Sequence, residues 1–319
     1  MPENYLDLAE ILKSGAVTAT DVALNGTLTP KQGRAFANAI VDDSGLLKEI
    51  TTDVTKKLTK DRSALSTSKG MLVRHVAGKA LSDEQLRKLG VVGARLDMVN
   101  GVTLQINLTD EALDDNQDNP NFEKEQFEGA TTAFRNDLVY LGWIGVADNP
   151  AADAPFNELA KGWLTVAAEA TDTVKETLTQ DTDNGETRGA FVERCLQKAC
   201  DAAHEDVTDD MSIYLSKADY SAYVRMLSKD YKALSVLKSG DMLEFEGRKL
   251  RPQKGIPAGT FLGTPAKNMV MGLSRQIDRK RWYSNEISSL CYKFVVRPDY
   301  EFDIKKYVAV VTEYVNEAK

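Results

Sequence analysis

The stretch Gly255–Leu273, GIPAGTFLGTPAKNMVMGL, holds two short apolar runs on either side of Thr264-Pro265-Ala266-Lys267-Asn268. The pattern predicts strand, turn, strand, with the two strands paired as a hairpin. Gly259, Gly263 and Gly272 permit close backbone packing, and Pro257 and Pro265 stiffen the turns. Asn268 closes the turn. Nothing around the hairpin has the residue types of a chemical site, so its purpose has to come from the rest of the chain.

The chain has 319 residues, long enough for two domains, and 42% hydrophobic residues, enough for a sizeable core. Its net charge of −8 argues against a dedicated nucleic-acid binder, which would face phosphate with Lys and Arg. Three cysteines, Cys195, Cys200 and Cys291, have no framework spacing and read as reduced thiols in a cytoplasmic chain. The start, MPENYLDLAEILKSG, is acidic and amphipathic, unlike a signal peptide. No run of apolar residues approaches the ~18 that a membrane helix needs.

Charge is distributed unevenly. Thr51–Asp97 carries ten Lys/Arg against five Asp/Glu, whereas Asp148–Asp210 carries fifteen acidic residues against five basic ones. Each run can be a solvated face. Opposite signs in one chain also suit copies that pair head to tail. The basic segment has only short apolar pieces, so it reads as an extended arm buried on another subunit, or as a flexible loop.

Beyond it, Asn100-Gly101 is a hairpin turn signal, and Val102, Leu104, Ile106 and Leu108 alternate as in a half-buried strand. A long helix then starts after Asn119-Pro120, with Glu123 and Glu125 in its first turn, and ends near Gly142 to Gly145. Phe127, Phe134, Leu138 and Leu141 share one of its faces, with Ala130 and Ala133 nearby. A second helix places Phe191, Cys195, Leu196 and Ala199 inward. Ser216 caps a third, Glu246-Gly247 turns a hairpin, and long strands close the chain, the first ending at Arg297-Pro298-Asp299.

Chemistry is hard to find. His75 and His204 are the only histidines, and neither has metal-site spacing. On a helix, Cys195 points ~140° away from Cys200, so Cys195, Cys200 and His204 do not converge on zinc. Gly255, Gly259 and Gly263 are not followed by the Lys of a phosphate-binding loop. The basic and aromatic run Arg279–Glu286, RKRWYSNE, suits an interface or strand end better than a nucleic-acid contact in so acidic a chain.

The order of these pieces resembles the major capsid protein of tailed bacteriophages, the Hong Kong 97-type shell fold of the α+β class. GTLTPKQGRAFANAIVDDSGLLKEI (residues 26–50) resembles that family's N-terminal arm, and FEKEQFEGATTAFRNDLVYLGWIG its long spine helix. FNELAKGWL resembles the segment after the spine in contractile-tailed phage capsids, where Gly-Trp-Leu recurs. The stretch 255–273 is similar to a hairpin of the family, and FVVRPDYEFDIKKYVAVV to its closing strands.

The resemblance implies an N-terminal arm (1–50), an extended loop (51–108), a peripheral domain with the spine helix (109–204), an axial domain (205–274) and closing peripheral strands (275–319). It implies no catalytic residue, cofactor or metal. Loop residues Lys56, Lys57, Lys60, Arg62, Lys69, Arg74, Arg87 and Lys88 would contact an acidic neighbour, and the 255–273 hairpin would shape the centre of a capsomer. Copies would assemble as hexamers and pentamers in the host bacterial cytoplasm, with portal, scaffold and decoration proteins. The resulting virion head would enclose double-stranded DNA without sequence-specific binding and without a membrane. An encapsulin-like nanocompartment shell and a soluble acidic α/β enzyme are the alternatives.

Overall fold

The computed structural model describes residues 26–27, 45–66, 74, 90–116, 118–119, 122–228, 243–274 and 278–314. In chain order its strands are β1 (Gly26–Thr27), β2 (Thr51–Thr55), β3 (Thr59–Ser66), β4 (Gly90–Asp97), β5 (Val102–Thr109), β6 (Val174–Leu178), β7 (Met211–Ser216) and β8 (Glu244–Phe245). They continue as β9 (Arg248–Gln253), β10 (Thr260–Pro265), β11 (Met269–Ser274), β12 (Asp278–Ser284), β13 (Ser289–Val296), β14 (Pro298–Phe302) and β15 (Ala309–Glu313). The helices are α1 (Gly45–Glu49), α2 (Asp110–Asp115), α3 (Phe122–Ile144), α4 (Trp163–Glu169), α5 (Arg188–Asp201) and α6 (Lys217–Leu227). Among these residues the strands form sheets ordered β1-β12-β13-β5, β6-β15-β10-β7-β9-β8 and β14-β11-β2, and β3 pairs with β4 as a separate ribbon.

The stretch 255–273 does form two strands, but they are not a hairpin. β10 pairs with β7 and β15, whereas β11 pairs with β14 and β2. The physical reason lies in the side chains. Phe261, Leu262, Met269, Val270, Met271 and Leu273 are all fully buried, so both strands need cover on both faces. A short 3-10 turn, Ala266–Asn268, carries the chain from one sheet into the next.

β14 and β15 make the same passage beside it in the opposite direction, and the buried Asn268 joins the two chains. Its Nδ2 donates to the carbonyl of Ile304 (3.0 Å), and its Oδ1 accepts from the Ile304 amide (2.8 Å). Its backbone carbonyl accepts from the Asp303 amide (3.0 Å). Asn268 thereby supplies, with its side chain, the ladder bonds that the sheets cannot make where they part.

α3 anchors the first core. Phe134, Leu138, Leu141 and Trp143 are buried, and the helix ends at Ile144, as the sequence pattern indicates. The side chain of Phe127 lies outside the described residues. Of the two small residues near that face, Ala130 is half-buried and Ala133 is exposed, so Ala133 takes no part in close approach. The Gly-Trp-Leu segment has a clear structural role. Trp163 is fully buried, stacks edge-on with Trp143 and Tyr300, and donates from Nε1 to the Val270 carbonyl at 3.1 Å. The Tyr300 hydroxyl in turn donates to the carbonyl of Leu138 in the spine (2.6 Å).

A second core lies under α5 and α6, where Phe191, Val192, Cys195, Leu196 and Ala199 meet Ile213, Leu215, Phe261 and Val311. Its six-stranded sheet gathers β6 and β15 along with β7 to β10. α5 and β15 pack in this second core with β7 and β10, whereas β11 packs in the first core with α3, because the chain crosses between sheets more than once. The Glu246-Gly247 hairpin is present, with φ of 49° and 78° at its two central residues. Asn100-Gly101 makes no hairpin, since β4 pairs with β3 and β5 with β13. Ser216 caps α6 by accepting from the Asp219 amide (3.0 Å).

Replacing Asn268 with Ala should leave the Ile304 amide buried without a partner and the Ile304 carbonyl with only the Tyr307 amide (3.2 Å), at a cost of roughly 1–3 kcal/mol. Urea melts of the purified subunit would measure this. A loss below ~0.5 kcal/mol would show that the junction does not depend on Asn268.

Candidate assembly surface

The basic segment becomes the β3–β4 ribbon, paired from Thr59↔Asp97 to Ser66↔Gly90. Cross-strand partners share a face. Lys60 opposes Leu96 and Arg62 opposes Ala94, so these four residues line the side turned to the trunk. Leu96 and Met98 are fully buried there, in one cluster with Val270. Gly272 makes room for them: a Cβ at that position would stand 3.2 Å from Leu96 and Met98. Asp61 and Arg95, opposite each other on the outer face, are exposed.

The loop cations expected to meet a neighbour fall into three groups. Lys56, Lys57 and Arg74 are exposed. Lys69, Arg87 and Lys88 lie outside the described residues. Lys60 and Arg62, by contrast, are engaged by carboxylates of their own chain. Lys60 bonds Asp53 at 2.5 Å. Arg62 reaches Asp53 with Nη1 (2.6 Å) and Asp303 with Nε (2.7 Å) and Nη2 (3.0 Å). The sequence showed their charge but not the carboxylates brought beside them, because Asp303 lies 241 positions away from Arg62.

Two aspartates at the ribbon base respond to pH with opposite signs. Burial alone would raise the Asp53 carboxyl, but the bonds from Lys60 and Arg62 outweigh it and hold the group below its usual range. Burial pushes the Asp299 carboxyl up to about 7, against the N–H bonds it accepts from Asp97 (2.6 Å) and Tyr300 (3.0 Å).

The acidic segment is largely exposed, with Asp148, Asp153, Glu169, Asp172, Asp181, Asp183, Glu193, Asp201 and Glu205 all open to solvent. Two exposed apolar groups add to the surface. Trp282, Tyr283 and Ile287 stand where β12 turns into β13, and Tyr140, Val146 and Phe156 lie by the end of α3. The run RKRWYSNE forms most of β12 and the start of the turn into β13, with Tyr283 bonded to Asp110.

The stretch Gly255–Leu273 buries both of its strands. Gly259, with φ +81°, is bonded by the buried Asp219, which also receives Ser216 and Arg188. Gly263 packs on Met211, Pro265 ends β10, and Pro257 is exposed. No group of His, Cys, Asp or Glu among the described residues could hold a metal ion, and no described helix is long and apolar enough to cross a membrane. Cys195, Cys200 and Cys291 are free and buried, and burial raises the thiols of Cys195 and Cys200 to about 12 and about 11. A cavity of about 500 Å³ between α1, α3 and β9 is lined by both signs of charge, including Glu49, Asp137, Lys217, Arg251 and Lys254.

No family model and no curated protein matches the sequence. Solved structures do match. A chain of the satellite phage P4 procapsid, a particle that includes a size determination (Sid) protein, superposes with a TM-score of 0.65 at 12% identity, over 99% of each chain. The capsid of the empty GTA particle matches with a TM-score of 0.54 at 10% identity, over 85% of this chain and 89% of that one. A virus-like particle from Pyrococcus furiosus matches with a TM-score of 0.52 at 9% identity, over 87% and 96%. The fold is therefore that of phage capsid proteins, a mixed helix-and-sheet architecture.

The pH behaviour is testable. The raised Asp299 carboxyl contributes stability that is fully present below about pH 4 and lost as pH rises towards 7, since the folded state binds the proton more tightly. Asp53 contributes stability that is present above its ordinary value of 3.8 and lost as pH falls through the lowered one. Asp299→Asn should therefore lose less stability than the parent between about pH 4 and 7, by up to ~1.4 kcal/mol per unit of the Asp299 shift. Urea melts of the dissociated subunit at the two ends of that range measure it. Equal losses in both proteins would mean that Asp299 does not titrate there.

Proposed function

We propose that this chain is a structural protein that self-assembles through capsomers into the icosahedral head of a tailed bacteriophage enclosing double-stranded DNA. The observation that carries the proposal is the superposition along essentially the whole chain with a subunit of the P4 procapsid. The surface agrees with it. Exposed cations on the ribbon side, an exposed acidic face and two exposed apolar groups are what a subunit needs when its neighbours are copies of itself. Each exposed charge contact contributes only ~0–1 kcal/mol, but a closed shell repeats it many times.

In this reading Lys56, Lys57 and Arg74 meet the acidic face of an adjacent subunit in hexamers and pentamers. A net charge of −8 keeps the shell from gripping its DNA, so packaged duplex can move in and out. Portal, scaffold and decoration proteins are the further partners expected of such a head. The P4 procapsid, whose subunit has this fold, includes a further chain, the size determination (Sid) protein.

Expression followed by negative-stain microscopy tests the assembly. Closed particles of megadalton mass are expected, and a small stable oligomer would overturn the proposal. Duplex DNA recovered from particles made during infection separates a phage head from a nanocompartment, which would instead hold a protein cargo.

Reversing Lys56 and Lys57 to Glu should cut the yield of shells by about tenfold or more at low salt, with part of the loss hidden at high salt where charges are screened. Light scattering during assembly reads the yield. Unchanged yield at every salt concentration would remove these two lysines from the interface.

A further inference from the structure

The ribbon's attachment to the trunk has a geometry of its own. Isolated two-stranded ribbons are marginally stable, so β3 and β4 take their orientation from what holds their base. The base sits across the sheet ordered β14-β11-β2. Leu96 and Met98 rest on the middle strand at Gly272. Arg62 reaches over that strand to both sides: Asp53 lies on β2, paired with Gly272, and Asp303 directly follows β14. Lys60 adds a second bond to Asp53, and Asp299 of β14 accepts from the amide of Asp97 at the end of β4. The Asp303 amide is bonded to Asn268, so the grip falls on the junction between the two main sheets.

The side chains at this point are only partly open, with Asp53 at 11% and Asp303 at 20% exposure. Bonds between charged groups are stronger there than at a solvated surface. The planar guanidinium fork is what permits one side chain to hold two carboxylates on separate strands, and an ammonium cannot do so with the same directionality.

We infer that Arg62, bridging Asp53 and Asp303 across the strand that carries Gly272, is the positioning residue that fixes the angle at which the ribbon leaves the trunk, and through it the reach of the ribbon to the next subunit. The first half stands on the geometry of a single chain. The second half rests on the proposed assembly of copies.

Hydrogen exchange of the full-length, unassembled chain tests the first half, and shell yield tests the second. Arg62→Met should speed exchange of the β3 and β4 amides about tenfold or more, leave β7 and β10 unchanged, and lower shell yield to a similar degree. Arg62→Lys keeps the charge but should span only one carboxylate, giving an intermediate effect in both readouts; it carries the test if Arg62→Met does not fold. Asp303→Asn combined with Arg62→Met should be no worse than Arg62→Met alone, since the pair acts as a unit.

Unchanged ribbon exchange in both Arg62 variants overturns the lock. A loosened ribbon with normal shell yield overturns the link to assembly. If the parent chain forms no shells at all, the assembly proposal fails, while the exchange result still decides whether Arg62 sets the ribbon.

Discussion

The structure depends on a splice between two sheets. β10 runs into β11, and β14 runs through Ile304 towards β15, side by side and in opposite directions. Where the sheets diverge, backbone groups would lose their ladder partners inside the protein, a cost of a few kcal/mol if left unmet. Asn268 meets it, because a carboxamide has the donor and acceptor of a peptide group and can stand in for one. This buried amide thus joins the strands where the two sheets part, beside the direct packing of Trp143 in the spine on Tyr214 of the six-stranded sheet.

Around that splice the packing is dominated by aromatic rings with polar tips. Trp163 and Tyr300 each place a large apolar body in the core of the spine and use the tip to hold a backbone carbonyl, that of Val270 and that of Leu138. These bonds tie α4 and β14 to the end of a helix that, at ~1.5 Å per residue, spans the trunk. On the other side of the splice Asp219 performs a similar service for the second core. It gathers Arg188, Ser216 and the Gly259 amide at one buried carboxylate, itself balanced by the guanidinium.

The ribbon differs from both cores in what stabilises it. Its base is held by ion pairs and a small apolar seat, and its outer face turns charges of both signs to solvent. A limb attached in this way has a defined direction without a core of its own. The charge of the basic segment is consequently divided: part of it is met within the chain at Asp53 and Asp303, and part, at Lys56, Lys57 and Arg74, is exposed.

Much of this was legible in the residues. The spacing of Phe134, Leu138 and Leu141 marked the buried face of the spine, the glycines at 142 and 145 marked its end, and Ser216 and Glu246-Gly247 marked a cap and a turn. Each of these signals is local, set by helical period, capping chemistry or the backbone freedom of one turn. The order of such elements also carried the likeness to a shell subunit. Pairing was another matter. The apolar runs at 260–265 and 269–274 have the composition of a hairpin, and only the tertiary structure decided that they enter different sheets, because burial on both faces demands partners that lie far away in sequence. The same holds for Lys60 and Arg62. Their charge is written in the chain, but whether a charge faces a neighbour or its own trunk depends on carboxylates that folding alone brings within bonding distance.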